Sequence, residues 1–512
     1  MTASSSVTAT FSTASLQSIN HLIFFAQENR SFDHYFGYMR QYWANNGIPD
    51  QPFDGLPQFT PASQCTAGTD CTAPSLPGCD PADNGPACVP DPSVTVTSFH
   101  MQSVCQEELS PFWDEAHTDW NDNFLYPSAI NPLMNGFVIA AANDARQYTY
   151  GTVNDTNGYR SMGYFTDADL NYYYFMASKF ATSDRWFAPV MTRTQLNRAY
   201  IYAATSQGHA YPLTTGDSQF SAVPIVEALQ NAGITWAIYV DADNTSCATQ
   251  TGDAQGECLL QNYSYLNQFT YEGAVLATAG KTPDLLQNIR PVSQFATDIQ
   301  NDATLPQVII IEPASTQGLD EHPSDLDQYP ENIQAGANYA AGLINSLMSS
   351  ASWKDSALLF TYDEPGGFYD HVPAQTAAVP DQYAYPIDLQ VNDACNGADQ
   401  SSGVCSFGMT GYRIPMILIS PFAKKNYVSH TVYDTTAFLA LVERRFGVQP
   451  LTARDAAQAD MSTDFFDFTA PWATPPTPPA QNQGGTCSTA APNPAGGGWI
   501  ERAFRSHIWR TP

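Results

Sequence analysis

The chain has 512 residues, and its 50 acidic against 20 basic side chains give a formal charge of −30, which repels nucleic acid and anionic lipid surfaces instead of attracting them through counterion release. A composition of 43% hydrophobic and 14% charged residues is that of a globular protein, and no apolar run reaches the roughly 18 residues needed to cross a bilayer. A neutral or zwitterionic substrate suits this charge, and no protein partner is implied.

Residues 1–19 are rich in Ser and Thr and read as a loose lead-in. Met1–Ser6 lack a basic region followed by an apolar one, so the expectation is a secreted or periplasmic protein whose export signal has been removed. The apolar run Leu22–Ala26 predicts a buried strand, and Gln27-Glu28-Asn29-Arg30 follow where that strand should end. In an open α/β sheet ligands bind at that carboxyl edge. From 43 to 110 the chain is rich in Pro, Asp, Gly and Cys without periodicity, which predicts a long excursion tied by disulfides.

Segments around 134–146 and 168–181 read as helices, as do 225–231, 332–350 and 435–446. Strands are predicted at 235–240, 307–311, 357–361 and 416–420. Short, wholly apolar strands alternating with helices indicate a mostly parallel sheet covered on both faces. The strand at 357–361 runs into Tyr362-Asp363-Glu364-Pro365-Gly366-Gly367, and two strand ends carrying acids predict a metal site. From about 470 the chain becomes Pro-rich, with Gly496–Gly498 before Trp499. The expected organisation is one catalytic domain over 20–470 and a tail over 471–512.

The ten cysteines lie mostly in local clusters. Pairs closing short polar loops, Cys247 with Cys258 and Cys395 with Cys405, predict disulfides in an exported protein. Zinc is the rival, but no CxxC pair occurs and no His flanks these cysteines. Cys487 stands apart near the end.

Taken together, Glu28–Asp33, Thr194–Arg198, Asp320-Glu321-His322-Pro323, Asp363-Glu364 with Gly366–His371, Ile414-Pro415 through Phe422, and Leu451–Asp455 make the chain resemble the bacterial phospholipase C and acid phosphatase family of phosphoesterases, within the alkaline phosphatase-like superfamily. That resemblance implies a three-layer α/β/α sandwich, alkaline phosphatase-like, with disulfide-tied insertions. It also implies a divalent metal ion, a hydroxyl nucleophile and a phosphoester substrate met at a membrane surface in transient contact. Position by position, Glu28, Asn29, Asp363 and Glu364 match metal ligands, and Thr194 matches the nucleophile that also binds the metal. His117, His322 and His371 match active-site histidines. The chain departs from the family around Thr194, where Arg193 and Leu196 replace the usual prolines, and Thr192 is the alternative nucleophile.

An all-oxygen ligand set suits a hard cation. Calcium is favoured over magnesium or manganese, and zinc stays open through superfamily relatives. His322 or His117 would protonate the leaving alkoxide and His371 would help to hold phosphate. A phosphothreonine would then be hydrolysed by water. The function expected is a phospholipase C releasing diacylglycerol and a phosphorylated head group from phosphatidylcholine-like lipids, because threonine points to that branch. The alternative is a broad-specificity acid phosphatase on the same scaffold. His34 reads as packed or surface, His430 as structural, and the aromatic run Tyr172–Phe175 as core in preference to a cage for a quaternary ammonium.

Overall fold

The computed structural model of the chain describes residues 15–65, 71–122, 131–148, 151–324, 326, 330–391, 393, 395–396 and 403–494. The lead-in as far as residue 14, Gly496–Trp499 and His507 lie outside the described residues.

One sheet of eight strands organises the fold. In chain order these are β1 (His21–Gln27), β2 (Ala181–Ser183), β3 (Trp236–Val240), β4 (Ile289–Pro291), β5 (Val308–Ile311), β6 (Ser356–Tyr362), β7 (Met416–Ile419) and β8 (Tyr427–Ser429), and across the sheet they run β8-β2-β7-β6-β1-β5-β3-β4. β1 pairs in parallel with both β5 and β6, setting Phe25 beside Ile311 and Phe360. Only β7 reverses, lying antiparallel to β6 and to β2.

Every residue of β1, β3, β5, β6 and β7 is buried, which explains why they read as continuous apolar runs. Successive side chains point to opposite faces. Phe24 therefore meets Phe438 of helix Thr436–Phe446, while Phe25 meets Tyr339 of helix Ile333–Met348. Two layers of helix thus enclose the sheet, and the expected α/β/α order is present. The strands at 181–183, 289–291 and 427–429 are too short to carry a pattern and were not anticipated.

All ten cysteines are paired, Cys247 with Cys258 and Cys395 with Cys405 as expected, Cys65 with Cys71 and Cys79 with Cys88 inside the excursion. Cys487 does not stand apart: it joins Cys105 across 382 residues. The tail there is also bonded in place, with Gln481 and Gln483 donating to the main chain of Asp169 and Gln334.

Candidate active site

The central pair β1 and β6 places its two following turns side by side. Glu28 and Asn29 leave β1, Asp363 and Glu364 leave β6, and all four are buried. Asn29 adopts φ 58°, a left-handed conformation that Asn tolerates. Its amide donates to Asp363 Oδ1 at 3.1 Å, as Glu364's does at 2.8 Å. Gly366, at φ 66°, closes the second turn so tightly that a Cβ would stand 2.5 Å from the Asn29 carbonyl oxygen, so only glycine lets the turns interlock.

Thr194 reaches this pair from a third element, as the first residue of helix Thr194–Ala203. Its Oγ1 lies 3.2 Å from Glu28 Oε2 and 3.1 Å from Glu364 Oε1. A hydroxyl has one proton, so it can donate to only one of them at a time. Thr192 is turned away, donating to the Ala210 carbonyl at 2.6 Å. The same helix supplies Arg198, which donates to Glu28 Oε1 at 2.9 Å and approaches Asp363 Oδ2 at 3.4 Å.

Three buried carboxyl groups thus share one bonded guanidinium. Burial, and then Asp363, push the Glu28 and Glu364 carboxyls well above the usual range, as expected when like charges leave water together. Asn29 Oδ1 and Glu364 Oε2 are buried without a hydrogen-bond partner. Surplus negative charge and orphaned oxygens in one place fit a hard divalent cation, and Glu28, Asn29, Thr194, Asp363 and Glu364 offer it an oxygen donor set.

The three histidines part company. The loop of His322 stays close: the Glu28 amide donates to the Asp320 carbonyl at 3.0 Å, two residues before it, while the His322 ring itself faces the Pro323 carbonyl through Nδ1, with Glu108 Oε2 3.4 Å away. His117 does not join the carboxylates. It is fully buried, its ring nitrogens 2.6 Å from the Trp113 carbonyl and 3.2 Å from that of Val404, and burial lowers its pKa to about 4. His371 does not join them either, because Asp33 Oδ2 at 2.6 Å and Asp54 Oδ1 at 3.0 Å occupy its two nitrogens. Burial opposes its charge, but these carboxylates prevail and push its pKa up to about 9.

A family model described as "Phosphoesterase family" matches residues 19–449. The chain belongs to that family. Among curated relatives, "Phospholipase C B" of Mycobacterium tuberculosis is 28% identical over 89% of this chain and 79% of its own length, and "Non-specific phospholipase C4" of Arabidopsis thaliana is 26% identical over 80% and 63%. A solved structure titled as a protein in the alkaline phosphatase superfamily from Vibrio parahaemolyticus aligns with TM-score 0.28 at 14% identity, over 56% of this chain and 63% of that one. Family membership makes this protein a phosphoric ester hydrolase.

In this phosphoesterase the tyrosine run is core, as read. Tyr173, with Tyr35 and Tyr362, donates to the Glu321 carboxyl at 2.5, 2.6 and 2.9 Å, and the main chain of Glu321 is held by Arg30. This buried knot fixes the loop carrying Asp320 and His322. His34 is packed as expected, stacked on Phe368 and bonded to the Gly163 carbonyl. Two nearby groups escaped the sequence reading. Arg198 was visible only as part of a motif, with nothing to show its carboxylate partners. Glu312 follows β5 at the same sheet edge and binds Tyr202 at 2.6 Å, a third strand-end acid that the rule used for Glu28 would have found.

Proposed function

We propose that this phosphoesterase is a secreted phospholipase C that uses a divalent cation, calcium by preference, to cleave phosphatidylcholine-like lipids on the glycerol side of the phosphate. The observation that carries the reading is the seat of Thr194, a buried hydroxyl within 3.2 Å of two carboxylates from different strand ends. The names of the bacterial and plant relatives support the phosphodiester substrate, and five disulfides support export to an oxidising compartment. A net charge of −30 favours brief contact with a zwitterionic over an anionic membrane.

A cation held by Glu28, Asn29, Asp363, Glu364 and Thr194 would lower the pKa of the hydroxyl and draw charge from the phosphoryl oxygens. Thr194 Oγ1 attacks phosphorus from the first turn of its helix, where the aligned backbone dipoles favour an anion. Glu28 or Glu364 takes the hydroxyl proton, and Arg198 holds Glu28 and Asp363 in place. His322 protonates the departing glycerol oxygen. Water then hydrolyses the phosphothreonine and frees the phosphorylated head group.

The deciding assay compares phosphocholine release from phosphatidylcholine with phosphate release from an aryl monoester, before and after chelation. Faster turnover of the monoester would reassign the enzyme as an acid phosphatase. Activity that survives exhaustive chelation would remove the cation.

A further inference from the structure

Beside the carboxylate cluster lies a cavity of about 510 Å3 whose wall includes Glu108, Phe112, Glu115, Asp144, Tyr148 and Arg193. It adjoins the reacting groups on three counts. Arg193 immediately precedes Thr194. Leu109, on the same wall, presses on the turn after Glu364 so closely that a Cβ on Gly367 would stand 2.9 Å from its own. Glu108 Oε2 lies 3.4 Å from His322.

Its wall carries an arginine without a carboxylate partner among the described residues, and three acids, Glu108, Glu115 and Asp144. The Arg193 guanidinium is stacked 4.4 Å from the centre of the Phe112 ring, and its Nε is buried without a hydrogen-bond partner. Among the described residues no carboxylate comes within ion-pair distance of it, although its field acts on both Glu364 and Glu108. Every other arginine near the cluster is committed: Arg198 to Glu28 and Asp363, Arg30 to the Glu321 carbonyl, and Arg413 to Asp370 and Asp33. Glu115, on the same wall, meets no arginine or lysine within ion-pair distance among the described residues. Asp144 shares Arg160, at 3.3 Å, with Asp155. Phe112 and Tyr148 supply aromatic surface along the wall, of the kind that receives alkylated ammonium groups.

A cavity with an arginine next to the nucleophile and with Glu115 and Asp144 elsewhere on its wall matches a zwitterion whose phosphoryl group leads. We propose that it is the head-group subsite and that it selects zwitterionic phosphoesters, with Arg193 holding the phosphoryl oxygens while Glu115 and Asp144 hold the cationic end. The proposal rests on the phosphodiesterase reading above. Arg193 occupies a position where the family resemblance fails, so the subsite is a feature of this chain's own sequence.

The test is calorimetric titration of the full-length chain with phosphocholine, glycerol phosphate and inorganic phosphate, which needs no turnover. Wild type is expected to bind phosphocholine about tenfold more tightly than glycerol phosphate, a difference of one well-placed charge contact. The double variant E115Q/D144N should bring that ratio close to one. Arg193→Gln should weaken all three ligands by about tenfold, with Arg193→Lys recovering part of the loss, and thermal unfolding confirms that each variant is folded. An unchanged ratio in E115Q/D144N, or unchanged phosphate binding in Arg193→Gln, overturns the proposal. Selective phosphocholine binding without hydrolysis of phosphatidylcholine would sustain the subsite and sink the activity.

Discussion

Two buried charge clusters form at the same edge of the sheet, and they are built to opposite rules. Around Arg413, Asp33 and Asp370 both accept its guanidinium, Nη2 lying 3.1 Å from Asp33 and 2.7 Å from Asp370, and Asp33 also accepts the ring of His371. Asp33, Asp370 and His371 are near enough to one another to hold a cation, but Arg413 already occupies that role. Around Thr194, three carboxyl groups meet one bonded guanidinium and two oxygens stay orphaned. A balanced cluster holds the fold together, whereas an unbalanced one at a strand end awaits a ligand.

The comparison breaks first at Thr194. Thr194→Ala should lower kcat by about 10⁴-fold or more, as loss of a nucleophile does, with unfolding temperature little changed. Activity near wild type would leave Thr194 outside the chemistry. In the balanced cluster His371→Gln should act on stability instead, at about 3 kcal/mol, because it strands buried carboxylates. The sign follows from the raised pKa of about 9. A histidine whose pKa rises on folding stabilises fully below its unfolded value near 6.5 and loses that contribution as pH climbs through its folded value. Wild type should therefore weaken between about pH 6.5 and pH 9 by an amount missing from His371→Gln, measured by urea unfolding across that window.

The unbalanced cluster should respond in the other direction. Glu364→Gln removes surplus negative charge, so in chelator the variant should be more stable than wild type by about 1 kcal/mol while losing activity. Because burial raises the Glu364 carboxyl, chelated wild type should lose stability as pH rises from about 5, and a divalent ion should restore it. A Glu364→Gln protein that is less stable in chelator would mean that the cluster is balanced after all. The smallest effect belongs to the support beneath the site. Tyr173→Phe deletes one of three hydroxyls on Glu321 and should cost about 1 kcal/mol, with turnover falling only as far as the His322 loop loosens.

Much of the scaffold was legible because its signals are local. Five apolar runs are each long enough to announce a buried strand, and acids directly after two of them mark the ligand-binding edge whatever the rest of the chain does. Cys247 with Cys258 and Cys395 with Cys405 could be paired because each closes a short loop. The resemblance to a family supplied Thr194, since a threonine opening a helix is otherwise an ordinary cap. What stayed hidden depends on contacts between distant residues. The reversal of β7, the Cys105–Cys487 bridge and the capture of His371 by Asp33 and Asp54 join segments whose sequences say nothing of one another. A histidine's role is set by what faces its two nitrogens, so folding alone decided that His322 would face Glu108 on a loop bonded to Glu28 while His117 was buried against main-chain carbonyls. The residue types available at the sheet edge were written in the chain, and packing determined which charges were neutralised there and which were left for a ligand.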